Sequence, residues 1–262
     1  MTELQAQPGG EGPRIRVGIG GWTYEPWRDN FYPKGLPHKE ELAYASRHLS
    51  AIEVNGTFYS TFKPDTFAKW RDETPPGFLF SLKAHRFATH RRDLSTAGEP
   101  VQRFVNSGLA QLGDKLGPIV WQLMPSTVFD PANIGAFFAL LPREVAGRPL
   151  QHVLDARHPS FQSEAYLELA QRHGCATVHS DSDEYPAIAD PGSELAYLRL
   201  MRAQADSPTG YEPAAIGEWV KGARAWVEQG PNRRVLAFFI SGAKERNPAA
   251  AMEMLRQLGD AA

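Results

Sequence analysis

Ionisable and amide side chains recur at the far ends of short apolar runs in this chain. Glu53 and Asn55 close one run, Lys83 a second, Gln122 a third, Asp155 and Arg157 a fourth, His179 and Asp181 a fifth, and Arg199 a sixth. A strand buried on both faces of a parallel sheet reads as nearly continuous apolar residues. Polar groups repeated at its carboxyl end therefore mark a shared pocket, which is where α/β barrels place their chemistry. Glu53, Lys83, Asp155 and Arg157 are the expected catalytic set. Glu53 is the proton-transfer group, because a carboxylate in a partly dry mouth has its pKa raised toward neutrality. Lys83 is its electrostatic partner, or an imine-forming amine where a second cation lowers its pKa. Arg157 and Arg199 present planar forks suited to carboxylate or phosphate. The competing reading of these charges is an ion-pair network that closes the fold.

The expected substrate-binding residues are Trp22, Tyr24, Asn55, Tyr59, His90, Gln122, His158, His179, Asp181 and Arg199. Trp22, Tyr24, Trp27 and Tyr59 suit a stacking wall for a sugar or base, or equally the packing of loops. Arg157 and His158 precede Pro159, a step that also reads as a turn into a helix. The stretch Lys83-Ala-His-Arg-Phe-Ala-Thr-His-Arg-Arg92 gathers four cations and two histidines, either as an anion site or as a solvated basic loop. Glu53, Asp155, His179 and Asp181 are an assortment that binds divalent metals in other barrels. No local metal-ligand motif accompanies them, so no metal site is assigned and no cofactor is expected, with a divalent ion as the minority alternative.

The chain has 262 residues, 42% hydrophobic and 22% charged, close to the globular average. Its formal charge of −2 supplies no global field for nucleic acid or an anionic membrane, so any electrostatic recognition is local. Cys175 is the only cysteine, which excludes an intrachain disulfide and a cysteine zinc cluster, and its apolar setting makes it a buried filler. Residues 1–13 read as a flexible tail without the apolar core of a signal peptide, and 14–262 as a single domain. No run approaches the ~20 apolar residues of a membrane span. The expected location is cytoplasmic.

Eight strands are predicted, at 15–19, 51–55, 78–83, 118–123, 152–155, 175–179, 195–200 and 235–240. Helical patterns occupy 38–48, 64–73, 99–112, 131–141, 163–173, 213–229 and 247–258. Pro64, Pro131, Pro213 and Pro248 suit first-turn positions, with Asp130 and Asn247 as caps. Between the sixth and seventh strands, 181–193 holds two prolines, a glycine and several acids, and reads as a long loop in place of a helix. The alternation matches a (β/α)8 barrel of the triosephosphate isomerase type. A doubly wound sheet is rejected, because Gly18-Ile-Gly20 lacks the third glycine of a dinucleotide loop and runs into bulky aromatics. Side chains two apart share a strand face. Glu53, Ser81, Lys83, Val120, Gln122, Val153, Asp155, Thr177, His179, Tyr197 and Arg199 are therefore expected to point inward, with Ile52, Val54, Ile119, Leu154, Val178 and Leu198 toward the helices.

With these residues in view, the chain resembles the domain of unknown function 72 family, also called YecE-like. The segments that carry the resemblance are Gly18-Ile-Gly-Gly-Trp-Thr-Tyr-Glu-Pro-Trp27 with Phe31-Tyr-Pro33, Ile52-Glu-Val-Asn-Gly-Thr-Phe-Tyr59 and Phe80-Ser-Leu-Lys-Ala84 with Thr89-His90. Leu116-Gly-Pro-Ile-Val-Trp-Gln-Leu123 with Pro125-Ser126, and Arg157-His158-Pro-Ser160, complete the set. They run in family order over roughly 15–240. The resemblance implies the same barrel and no established activity. The chain departs from the family pattern in three places. Asp155 stands where a glutamate is usual, the seventh strand ends Arg199-Leu-Met-Arg202 instead of Arg-Leu-His-Gly, and the eighth ends Phe239-Ile-Ser-Gly242 without the usual asparagines.

Three functions follow as expectations. The first is an enzyme on a small anionic or polyhydroxylated substrate, sugar- or phosphate-like, by metal-independent acid–base chemistry of hydrolase, lyase or isomerase type. The second is a nucleic-acid processing or binding protein, and the third a non-catalytic ligand-binding barrel. The expected partner is a small anion, with nucleic acid second and no membrane; the sequence is silent on oligomeric state.

Overall fold

Val, Ile, Leu and Phe fill the eight predicted runs, and in a computed structural model describing residues 12–259 each run forms a strand. These are β1 Ile15–Gly20, β2 Ala51–Val54, β3 Leu79–Lys83, β4 Leu116–Gln122, β5 His152–Asp155, β6 Cys175–Asp181, β7 Leu195–Leu200 and β8 Arg234–Phe239. All pair in parallel with their neighbours in sequence, and β8 returns to β1, closing a barrel. The tail expected at 1–13 lies, up to residue 11, outside the described residues.

Among the described residues seven α-helices clothe the barrel: α1 Glu41–His48, α2 Pro64–Glu73, α3 Gly98–Val105, α4 Pro131–Leu140, α5 Glu164–Arg172, α6 Pro213–Glu228 and α7 Asn247–Gly259. Pro64, Pro131 and Pro213 open α2, α4 and α6, where a missing N–H costs nothing. The Asp130 carboxylate caps α4 by accepting from the Ala132 and Asn133 amides. Asn247 is not a cap. A 3-10 turn, Lys244–Arg246, runs directly into α7, and the Asn247 amide donates instead to the Ser241 carbonyl.

The predicted loop between β6 and β7 stands: 182–194 hold no helix. Its Ile188 is 3% exposed and occupies core volume in place of helix side chains.

Apolar side chains divide into two layers. An outer one lies between strands and helices, and an inner plug holds Ala51, Leu79, Val120, Val153, Ala176, Val178, Leu195, Tyr197, Leu236 and Phe238. The plug fills the middle of the barrel, leaving polar groups at its two ends: Arg16 and Arg234 at the amino end and the larger cleft at the carboxyl end. Gly18 and Gly20 are the corresponding inward positions of β1. A Cβ on Gly18 would lie 1.9 Å from the Ala51 carbonyl oxygen, and one on Gly20 would lie 2.9 Å from Asn55 Nδ2. Those glycines let β1 approach β2 closely, a role unrelated to nucleotide binding.

Candidate active site

Strand register decides which groups meet at the mouth. On β2, β3, β4, β5 and β7 the inward parity is the expected one, and it brings Glu53, Lys83, Gln122, Asp155 and Arg199 together. On β6 it is reversed. Val153 pairs with Ala176 and Val178 with Tyr197, so Ala176, Val178 and Ser180 face inward. Thr177, His179 and Asp181 therefore face the surrounding shell. Thr177 Oγ1 lies 3.0 Å from the Tyr166 hydroxyl on α5. His179 Nδ1 donates to the Ile188 carbonyl at 3.2 Å and its ring stands edge-on to Trp219. Asp181 pairs with Arg202 at 3.3 Å. The assignment of His179 and Asp181 to the mouth is thereby corrected, and the metal-binding assortment they completed does not assemble. Among the described residues no group of three or more His, Cys, Asp or Glu is placed to hold a metal.

Arg199 lies at the centre of the mouth, 2% exposed. Its Nε and Nη2 donate to the two oxygens of Glu53 at 3.0 and 2.7 Å, and its Nη1 donates to Asp155 Oδ2 at 2.5 Å. Burial alone would lower the arginine pKa, but Glu53 and then Asp155 outweigh it and hold the guanidinium charged. Tyr197 donates its hydroxyl to Glu53 Oε2 at 2.7 Å. Both Glu53 oxygens are thus committed, and the residue is 0% exposed. Glu53, expected to exchange protons with a substrate, lies beneath the cleft with both oxygens held by Arg199 and Tyr197. Asp155, also 0% exposed, accepts from Arg157 Nε at 3.1 Å, while its Oδ1 has no hydrogen-bond partner among the described residues. Arg157 Nη2 donates to Gln122 Oε1 at 2.8 Å, and its guanidinium lies 4.2 Å over the Tyr185 ring.

Above this network opens a cleft of about 580 Å³. Of the expected residues it is lined by Trp22, Asn55, Tyr59, Lys83, Gln122, Arg157 and Arg199. Lys83 is 7% exposed; its Nζ has no hydrogen bond or ion pair among the described residues and rests 4.1 Å over the Phe58 ring. Burial, then the Arg199 charge, pulls its pKa down to about 8 against the partial opposition of Glu53 and Asp155.

Tyr24, His90 and His158 do not line the cleft. Tyr24 lies beneath the Lys244 ammonium at 4.2 Å. His90 is exposed with its ring against Phe58; partial burial, then Lys83, lowers its pKa. His158 Nδ1 pairs with the Ser160 hydroxyl at 2.8 Å and caps a 3-10 turn. Trp27, offered as part of the stacking wall, is 0% exposed and donates to the Lys244 carbonyl. In the basic stretch, Arg91 bonds the Phe87 and Thr96 carbonyls and serves the loop itself.

Sequence reasoning missed Phe62, Trp70, Met201, Ser241, Lys244 and Asn247, which also line the cleft. Lys244 and Asn247 follow the eighth strand, so its loop was the available signal. Ser241 and Gly242 turn there with φ of 63° and 55°, and a Cβ on Gly242 would meet the Met201 carbonyl at 2.9 Å. Phe62 and Trp70 carried no signal beyond aromaticity.

Fold and site together define a closed parallel barrel whose mouth gathers cations above a buried carboxylate and arginine network. The chain belongs to the family described as protein of unknown function DUF72, whose model matches residues 16–262. It is 27% identical over 163 residues to the UPF0759 protein YecE of Escherichia coli (strain K12), covering 61% of this chain and 54% of that one. With the UPF0759 protein YunF of Bacillus subtilis (strain 168) it shares 27% over 192 residues, covering 71% and 65%. The matches thus span about half to two thirds of these relatives. A DUF72 family protein from Thermotoga maritima MSB8 superposes with a TM-score of 0.70 at 20% identity, over 94% of this chain and 99% of that one. One from Enterococcus faecalis V583 gives 0.70 at 14%, over 94% and 97%. A protein named SacUVDE gives 0.60 at 10%, over 94% and 99%. These structural likenesses establish fold alone. No described helix is long and apolar enough to cross a membrane.

Proposed function

We propose that this protein is an enzyme acting on a small anionic or polyhydroxylated substrate by acid–base chemistry at the carboxyl mouth of its barrel. Lys83 takes the proton-transfer role, Arg157 and Lys244 hold the anion, and Arg199 adds positive field from below. The observation that carries this reading is charge imbalance. Four cations line the cleft, while the two carboxylates beside them, Glu53 and Asp155, are buried under the arginines they bind. A lysine with a pKa of about 8 holds both protonation states in useful amounts near neutrality. Aromatic Trp22, Tyr59, Phe62 and Trp70 suit the apolar faces of a sugar ring.

A thermal-shift series with inorganic phosphate, citrate, sugar phosphates and the matching neutral sugars tests this. A ligand at a hundred times its dissociation constant adds about 2.7 kcal/mol, which raises the midpoint by roughly 5 to 10 °C in a chain of this size. We expect that shift for anions only, lost in Lys83→Ala and Arg157→Ala, and shrinking as pH rises through about 8 and Lys83 loses its charge. Equal shifts from neutral sugars would remove the anion from the proposal. Binding without turnover of any bound compound would leave a ligand-binding barrel.

A second reading, nucleic-acid binding along the rim, is favoured by Tyr59 and Phe87, 65% and 57% exposed, with Arg86 over the Phe87 ring. It requires affinity for an oligonucleotide that falls steeply with salt; affinity indifferent to salt eliminates it.

A further inference from the structure

We infer that Lys83 is an imine-forming amine, and that the substrate class of this cleft is a small anionic aldehyde or ketone. The inference rests on the reading that the cleft takes a small anion, and deepens it. Among the described residues both arginines lining the cleft have dedicated partners, Arg199 in Glu53 and Asp155, and Arg157 in Asp155, Gln122 and the Tyr185 ring, whereas the two lysines rest only on ring faces, the half-buried Lys244 on Tyr24 and Trp27 and the buried Lys83 on Phe58. Lys83 has neither carboxylate nor carbonyl, only the face of Phe58. Its backbone is nonetheless held, since Thr57 Oγ1 lies 2.7 Å from the Lys83 carbonyl oxygen. An amine held on a strand end, desolvated and flanked by a second cation meets the conditions under which lysine becomes a nucleophile.

The charged groups that act on it are Glu53 on β2, Asp155 and Arg157 at the end of β5, Arg199 on β7, and His90 in the loop after β3. The neutral Nζ adds its electron pair to the carbonyl carbon, and the π pair moves to oxygen. Loss of that oxygen as water leaves a protonated C=N bond. Counted from the ammonium, ammonium and carbonyl give iminium and water, with no oxidant or reductant consumed. The cation made in this way replaces the one already present, so the surrounding field is undisturbed.

Glyoxylate, which carries an aldehyde beside a carboxylate, is the probe, with cyanoborohydride to trap the imine and peptide mass spectrometry to locate it. Lys69 and Lys221, whose side chains are 64% and 79% exposed, are the internal references. At pH 7.5 we expect Lys83 to be labelled at least ten-fold faster than either, with a rate that rises through about pH 8 and is slowed by glycolate. Labelling no faster than the references, or a rate that climbs only toward pH 10, overturns the inference. A thermal shift with inorganic phosphate but no selective labelling refutes the imine and keeps the anion site. Selective labelling that glycolate leaves unchanged, with no phosphate shift, refutes the anion reading and keeps the amine.

Discussion

A guanidinium sealed at 2% exposure surrenders its hydration, and Arg199 recovers it from carboxylates on two other strands. Such networks add little net stability, because desolvating the ions offsets their attraction, yet they are costly to break, because removing one partner strands the other in a dry interior. Glu53→Gln keeps the shape and deletes a charge that accepts from Arg199 twice and from Tyr197 once. We expect a loss of roughly 3 to 5 kcal/mol in urea unfolding; a midpoint unchanged with the same slope would show that the pair contributes nothing to the fold. Asp155 is shorter by a methylene than the glutamate usual in the family resemblance, and its Oδ1 is left without a hydrogen bond. Met201 lines the cleft at the position where that pattern has histidine, replacing a titratable ring with a thioether. The residue types of the site were legible in the sequence because each lies at a strand end. Their roles were not, because whether a carboxylate faces substrate or an arginine depends on what reaches it from across the barrel.

Strand β6 shows why periodicity has a limit. The two-residue period of Cys175-Ala-Thr-Val-His-Ser-Asp181 separates Cys175, Thr177, His179 and Asp181 from Ala176, Val178 and Ser180 without saying which face is inner. Only pairing with β5 and β7 puts Val178 in the plug and His179 against Trp219. Strand β1 carries the opposite lesson, since its glycines were visible and their reason was not. With a Cβ at 1.9 Å from backbone oxygen, Gly18→Ala forces β1 and β2 apart. We expect destabilisation of at least 1 to 3 kcal/mol, as for overpacked cores, read as a lowered unfolding midpoint. A Gly18→Ala protein as stable as the parent would mean that the two strands separate freely. Helix starts were the most legible feature, because proline and turn residues act locally, as Pro64, Pro131 and Pro213 do, whereas the helix expected over 99–112 stops at Val105, Gly108 turning the chain with a φ of 109° into a 3-10 stretch over Leu109–Lys115.

For the molecule as a whole, pH dependence of stability follows from buried groups. His152 accepts from Trp121 Nε1 at its Nδ1 and donates from Nε2 to the Pro142 carbonyl, so the folded state holds one neutral tautomer. Burial depresses its pKa to about 4 from 6.5. Below 6.5 the unfolded chain binds a proton that the native state refuses. The stability is therefore complete above pH 6.5 and is lost progressively toward pH 4, by up to about 3 kcal/mol. Lys83 acts at the alkaline end: between about 8 and its ordinary 10.5 the unfolded chain again holds the extra proton, so stability rises with pH there. Chemical denaturation across pH 4 to 10 reads both, and a His152→Gln variant is expected to flatten the acid limb alone. An unchanged acid limb in that variant would assign the loss to other groups.

The sequence by itself determined the number and order of the barrel strands and of the helices between them, though not the short antiparallel pair Glu144–Val145 and Arg148–Pro149, and it determined the missing helix before β7 and the ring of strand ends where polar residues gather. Those properties follow from apolar periodicity and turn chemistry, which act over a few residues. Tertiary structure alone decided that Glu53 and Asp155 serve Arg199, that His179 and Asp181 turn outward, that Lys244 and Asn247 join the cleft, and that Lys83 is left without a counterion. Each depends on the register of strands far apart in the chain and on which charges the closed barrel then forces to share one poorly solvated space.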